Sequence, residues 1–173
     1  MIRVLSALLL AGLGFTALAA DTKPTTLLNG KDLTGWKTKE GESLDGKTEA
    51  YAGRFKVTDK ELVIDPAVKG DKYIYTQAEY AGDVTVSFEF KPGAKCNNDL
   101  FLRGTKFDLK EGADLKGLKM GEWNSFEIAV NGSKAEFKLN GETVKTMNTN
   151  GDKSNFGLRA EFGAIRYRNV AIK

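Results

Sequence analysis

The sequence predicts an all-β fold, an antiparallel sandwich or jelly roll, and three observations carry that prediction. Val84, Val86, Phe88 and Phe90 are apolar while Thr85, Ser87, Glu89 and Lys91 between them are polar. A period of two means a strand with one face in a core and one in water. Asn131-Gly132 and Asn140-Gly141 each lie between alternating runs, a strong hairpin signal because these residues tolerate positive φ. No stretch of ten or more residues carries a helical period, and turn signals recur at regular spacing, which suits nine to eleven short strands.

Residues 1–20 are expected to lie outside that fold. Arg3 supplies a short positive start, and Val4 to Leu18 is apolar apart from Ser6 and Thr16. Ala17-Leu18-Ala19 has the small-x-small pattern of a signal-peptidase site, and Leu18-Ala19-Ala20 shifts the cut by one. The run is slightly short for a membrane span, and no cysteine follows it directly to carry a lipid. Residues 1–20 are therefore read as a signal peptide. Residues 21–173 are read as a single domain, exported to the periplasm or beyond, with no membrane attachment after cleavage.

The elements follow in chain order. Leu27, Leu28, Leu33 and Trp36 are apolar around an Asn29-Gly30 turn, with Trp36 expected in the core. A polar, glycine-containing loop occupies 37–53. Phe55 and Val57 alternate before Asp59-Lys60, and Leu62 and Ile64 after it, which predicts a hairpin. Tyr73 to Thr76 forms a short strand before the Gly82-Asp83 turn. Val84 to Phe90 is the central strand, and Pro92-Gly93 ends it because proline has no amide to donate. Lys95 to Asp99 reads as a polar turn leading into a strand from Leu100 to Arg103. Residues 105–120 are the least regular. Phe126, Ile128 and Val130, then Ala135, Phe137 and Leu139, alternate about the Asn-Gly turns. Phe156, Leu158 and Ala160 share one face of a late strand. In the last strand Ile165 and Tyr167 have one parity and Val170 and Ile172 the other, which predicts a β-bulge near Arg168-Asn169.

Composition narrows the chemistry. The chain has no histidine and one cysteine, Cys96. A Ser-His-Asp triad, a Cys-His pair and a histidine-ligated zinc site are excluded, so acid-base work falls to carboxylates, tyrosine or lysine. Cys96 has no obvious base beside it and is not read as a nucleophile. Removing residues 1–20 takes away Arg3 and no acid, lowering the net charge from +3 to +2. Lysines and acids are interspersed, so no nucleic-acid partner is indicated, and no protein partner is evident.

Several segments together resemble one family. They are LLNGKDLTGW (27–36), FKVTDKELVID (55–65), YIYTQAEYAGDVTVSFEFKPGAKCNNDLFLRG (73–104), GEWNSFEI (121–128), FKLNGETV (137–144) and FGLRAEFGAIRYRNVAIK (156–173). In this order they resemble the 3-keto-disaccharide hydrolase family. The resemblance implies a concanavalin-like jelly roll acting on glycosides whose C3 hydroxyl has become a ketone. It implies removal of the acidified C2 proton, expulsion of the aglycone from C1 and addition of water, with no cofactor expected. On that reading Glu89 or Asp108 is the base, Arg103 and Arg159 hold the enolate oxygen, and Glu161 is the proton donor. Asn97, Asn98 and Asp99 are the candidate substrate contacts, and Arg103 is expected to share the face of Glu89. The chain departs from the family pattern in three places. Asn98 and Asp99 stand where Ser and Gly are usual, the middle segment is reduced to 105–120, and Arg159 and Glu161 replace a Gln/His pair. A non-catalytic carbohydrate-binding or surface-interaction module is the alternative.

Overall fold

The computed structural model describes residues 23–173, so the signal-peptide expectation lies outside the described residues. Sixteen strands run in chain order: β1 (Thr25–Thr26), β2 (Trp36–Thr38), β3 (Glu49–Ala50), β4 (Phe55–Thr58), β5 (Glu61–Ile64), β6 (Lys72–Thr76), β7 (Tyr80–Ala81), β8 (Val84–Pro92), β9 (Asn97–Leu102), β10 (Thr105–Lys110), β11 (Asn124–Asn131), β12 (Lys134–Leu139), β13 (Glu142–Asn148), β14 (Lys153–Ser154), β15 (Gly157–Phe162) and β16 (Ile165–Ile172). Eleven have four or more residues. One 3-10 turn, Ala113–Leu115, interrupts the irregular segment, and no helix of the described residues is long and apolar enough to cross a membrane.

The strands form a two-sheet antiparallel sandwich of the jelly-roll type. A nine-stranded sheet has the order β13-β12-β11-β8-β16-β5-β4-β3, with β1 also paired to β16. A five-stranded sheet has the order β10-β9-β15-β6-β2, and β7 and β14 make a separate pair. The apolar parities meet between the sheets: Val86, Phe88 and Phe90 of β8 and Phe126, Ile128 and Val130 of β11 are buried from one side. Leu100, Leu102, Phe107, Leu158 and Ile74 are buried from the other. Phe107 of the five-stranded sheet stacks on Phe137 of the nine-stranded sheet, with centroids 4.7 Å apart. Such aromatic burial dominates the energetics of a core lacking a disulfide.

Turn chemistry largely follows the sequence. Asp59-Lys60 (φ 52° and 66°) and Asn140-Gly141 (φ 51° and 87°) close two-residue hairpins. The other Asn-Gly turn is displaced by one residue: Asn131 pairs with Lys134, so Gly132-Ser133 forms the loop. The register of β16 on β8 slips between Arg168 and Ala171, with Asn169 at φ 55°, which is the expected bulge. Arg103-Gly104 (φ 51° and 72°) is a hairpin turn joining β9 to β10.

Two expectations about the central stretch are corrected. Asn97, Asn98 and Asp99 are not a turn; they open β9. Moreover Arg103 does not share the face of Glu89, because the chain crosses from one sheet to the other at Pro92–Cys96 and β8 and β9 lie in different sheets. Gly163 explains how this crossing packs. Its φ is +71°, and a Cβ there would lie 2.7 Å from the Lys95 carbonyl oxygen and 2.8 Å from Cys96. Only a residue without a side chain lets the two crossing segments touch.

Asn98 takes part in this corner. It is fully buried, on the parity of Leu100 and Leu102. Its Nδ2 donates to the Phe162 carbonyl at 2.9 Å, and its Oδ1 accepts from the Glu161 amide at 2.9 Å. These are the backbone groups at the register shift of β15 against β9. Asn98→Ala would leave both without a partner in the core, so unfolding in urea should show a loss of about 2–3 kcal/mol. An undiminished midpoint would remove this structural role.

Candidate functional site

The outer face of the five-stranded sheet gathers most of the candidate residues. Register places Asp108 of β10 opposite Asp99 of β9, Asp99 opposite Arg159 of β15, and Arg159 opposite Tyr73 of β6. These four form one row across the sheet. A neighbouring row runs Lys106, Phe101, Gly157, Tyr75 and Lys37. Glu161 and Asn97 lie on the other side of the charged row, toward the corner, with the Asn97 amide donating to Glu161 Oε2 at 3.3 Å.

Arg159 is the hub. Its Nε and Nη2 donate to the two oxygens of Asp71, each at 2.7 Å. Its Nη1 donates to Asp99 Oδ2 at 2.6 Å and lies 3.1 Å from Glu161 Oε2. The fork of a guanidinium matches a carboxylate at two points at once, and one N–H on Nη2 is left over. Three carboxylates thus converge on a guanidinium, which occupies the centre where a cation would otherwise sit. Among the described residues no group of three or more His, Cys, Asp or Glu is placed to hold a metal ion.

Protonation follows from these contacts. Asp71 is held below its ordinary value chiefly by the Arg159 hydrogen bond. Asp99 has no exposed side-chain surface; burial pushes its carboxyl up despite the Arg159 hydrogen bond, and the neighbouring Asp108 adds to the rise. Burial also acts to raise Asp108, but the Lys106 contact and the interaction with Asp99 outweigh it, so Asp108 is held below its ordinary value. Lys106 Nζ lies 2.7 Å from Asp108 Oδ1 and 3.3 Å from Asp99 Oδ2, and the contact with Asp108 raises its affinity for its proton. Asp99 is therefore a buried support, while Asp108, with 31% of its side chain exposed, can meet a ligand.

A cleft of about 500 Å³ opens beside the hub, lined in part by Arg54, Asp71, Arg159, Glu161 and Phe162. Phe162 is 61% exposed and offers an apolar wall. Buried Arg54 donates to the carbonyls of Asp65 at 2.7 Å and Glu161 at 2.9 Å, fixing the bulged end of β15.

Other candidates fall elsewhere. Glu89 lies on the outer face of the nine-stranded sheet, so it does not share a face with Asp108 or Arg103. Arg168 grips it through Nε at 3.0 Å and Nη2 at 2.9 Å, and Asn169 Nδ2 donates to it at 2.5 Å. Glu89 lines a separate cleft of about 320 Å³ with Ser87, Ser125 and Lys138. Arg103 is buried and donates to the carbonyls of Tyr80 (3.1 Å), Gly151 (3.2 Å) and Gly82 (2.5 Å). It ties the β9–β10 turn to neighbouring loops and lies apart from the charged row. Asn98 faces the core, as described. Cys96 is buried, and its thiol is pushed up to about 11 by that burial. Trp36 is core, its Nε1 donating to the Leu27 carbonyl at 2.7 Å. Trp123 is half-buried beneath the Arg168 guanidinium, 4.0 Å from its ring centroid.

Sequence reasoning passed over Tyr73, Tyr75, Phe101, Lys106 and Asp71. A signal existed for three of them. Tyr73 and Tyr75 alternate with buried Ile74 and Thr76, and Phe101 lies between buried Leu100 and Leu102. Aromatic residues at the wet parity are what a stacking surface requires.

Comparison with known proteins adds a family and a set of shapes. The 3-keto-alpha-glucoside-1,2-lyase-like domain matches residues 23–119 and 108–173. The two matches meet in the shortened middle segment. No curated protein gives a significant sequence match. Two structures from Parabacteroides distasonis ATCC 8503, each provisionally assigned as a glycosyl hydrolase, share the fold. One has TM-score 0.69 and 19% identity, covering 87% of this chain and 93% of that one. The other has TM-score 0.67 and 17% identity, covering 88% and 99%. The carbohydrate-binding module CBM66 from Bacillus subtilis aligns with TM-score 0.52 and 14% identity over 81% of this chain and 96% of that one. At these identities the structures establish the shape alone.

Proposed function

The chain belongs to the 3-keto-alpha-glucoside-1,2-lyase-like domain family, and we propose that it is a carbohydrate-active enzyme that cleaves 3-keto-glycosides on the outer face of its five-stranded sheet. The observation that carries this reading is the row Asp108–Asp99–Arg159–Tyr73, fixed by strand register. The Cα atoms of Asp108 and Arg159 stand two strand spacings apart, about 10 Å, and their charged groups converge on Asp99 with the Lys106 ammonium beside it, so a pyranose ring would rest on top of this cluster.

Asp108 takes the C2 proton, and the C–H bonding pair becomes an enolate whose charge rests on the C3 oxygen. The free N–H of Arg159 Nη2 is the donor for that oxygen. The enolate collapses, C3=O reforms, a C1=C2 double bond forms and the C1–O bond breaks. The bonding pair leaves with the aglycone oxygen, which takes a proton from Lys106. Lys106 is assigned this step because its ammonium lies 2.7 Å from Asp108, whereas Glu161 borders the cleft on the far side of the row. Water then adds its hydroxyl to C1 and returns a proton to Lys106, while Asp108 returns its proton to C2. Glu161 and Asn97 border the sugar on the opposite side. In this reading the protein is exported, with residues 1–20 removed as a signal peptide; N-terminal sequencing of the secreted form should begin at Ala20 or Asp21.

The test is incubation of the mature protein with 4-nitrophenyl 3-keto-glucoside and measurement of released 4-nitrophenol. Release above the buffer rate supports the reading, and no turnover of this or any other 3-keto-glycoside overturns it. The extensive engagement of Arg159 by carboxylates favours a second reading, a carbohydrate-binding module. Saturable binding of the keto-glycoside without release would select it.

A further inference from the structure

We propose that Tyr75 and Phe101, lying either side of Gly157, form an aryl-binding platform that selects glycosides with a flat aromatic aglycone. The inference rests on the reaction site proposed above, and it assigns the leaving-group side of that site. Phe101, Gly157 and Tyr75 are consecutive across three strands of the outer face. Gly157 does not have a left-handed backbone; it is needed for space. A Cβ there would lie 2.5 and 2.6 Å from two Tyr75 ring carbons and 3.4 Å from Phe101 Cβ. The Tyr75 ring therefore lies down over the glycine instead of standing off the sheet.

The rings make a continuous apolar strip. Tyr73 and Tyr75 are parallel within 2° at a centroid separation of 6.4 Å, and Phe101 is 6.5 Å from Tyr75. Cations already cover Tyr73, with Lys39 Nζ 4.7 Å and the Arg159 guanidinium 5.5 Å from its centroid. Among the described residues no Lys or Arg stacks on Tyr75 or Phe101, and both side chains are partly exposed, so they can meet a ligand. The row they occupy adjoins the charged row on its Lys106 side, where the aglycone departs.

The polar groups in this row decide the ligand class. Besides the Tyr75 hydroxyl they are Lys37 and Lys106, one at each end. A second sugar would bring several hydroxyls and find few acceptors, leaving polar groups poorly paired. An aryl ring needs only the apolar strip, for which stacking contributes favourably. A departing phenolate would in addition meet the Lys106 ammonium.

The experiment compares phenyl and methyl 3-keto-glucosides as substrates, and phenyl and methyl β-glucosides as non-reacting ligands followed by NMR shifts of Tyr75 and Phe101. Wild type should prefer the phenyl substrate in kcat/KM by about tenfold or more, and phenyl β-glucoside should shift both rings while the methyl compound does not. Gly157→Ala should lower the phenyl-to-methyl ratio about tenfold, leaving only the preference that phenolate has as the better leaving group. Tyr75→Leu, which leaves the strand backbone unstrained, should do the same if Gly157→Ala fails to fold. Equal binding of both glucosides, or a ratio indifferent to both variants, overturns the platform even where turnover is robust. Selective phenyl binding at Tyr75 without turnover of any keto-glucoside supports the platform while the reaction reading fails.

Discussion

Asp108→Asn is expected to lower kcat/KM for a 3-keto-glucoside by about 10²- to 10⁴-fold, the usual worth of a positioned general base. The amide keeps the shape of the carboxylate and its exposure but cannot accept the C2 proton. Folding should survive, because Asp108 is partly exposed and only its contacts with Lys106 and Lys110 are weakened. Thermal unfolding should show at most a small decrease, which separates a chemical defect from a structural one. Glu89→Gln serves as the comparison. Its carboxylate lies on the other sheet, clamped by Arg168 and Asn169, and turnover should match that of the wild type. If Asp108→Asn retains full activity, or Glu89→Gln loses it, the site lies elsewhere.

Arg159→Met should cost about 3 kcal/mol at neutral pH, the low end for breaking a buried pair from one side. The variant strands Asp99, whose side chain has no exposed surface, with only Lys106 Nζ, 3.3 Å away, for compensation. The pH dependence has a definite sign. Burial already raises the Asp99 carboxyl above its ordinary 3.8. Stability linked to its protonation is fully present below that ordinary value and is lost as pH rises through the raised folded value. Removing Arg159 raises the folded value further. The deficit relative to wild type should be full at neutral pH and should shrink on acidification toward 3.8. Urea unfolding of both proteins at several pH values measures it. Arg159→Met with Asp99→Leu should recover most of the loss, because the stranded charge is gone. A deficit that is flat in pH, or that persists in the double variant, would show that Asp99 is not what Arg159 compensates.

Much of the fold was legible because it depends on neighbours in the chain. Alternation from Val84 to Phe90 requires only that one face be dry. The Asp59-Lys60 and Asn140-Gly141 turns lie where their residues tolerate positive φ. The bulge after Arg168 was visible as a parity change, since a slip of one residue turns side chains to the other face. Asn98 was legible in part as well. It shares parity with Leu100 and Leu102, and a polar residue at a dry parity points to a buried hydrogen-bonding role. Reading Lys95–Asp99 as a turn hid that signal.

The sequence by itself determined the fold class, the wet or dry parity of most strand residues and the exclusion of histidine chemistry. Those depend on local periodicity and composition. Only the tertiary structure decided which wet residues share a face. Glu89 and Asp108 have equivalent patterns along the chain, yet β8 and β10 lie in different sheets. Parity reports in or out but not which sheet, because sheet membership comes from pairing between distant strands. Arg159 meets Asp71 across 88 residues of sequence and Asp99 across 60. That long-range pairing brings three carboxylates to one guanidinium and sets the aromatic row beside it.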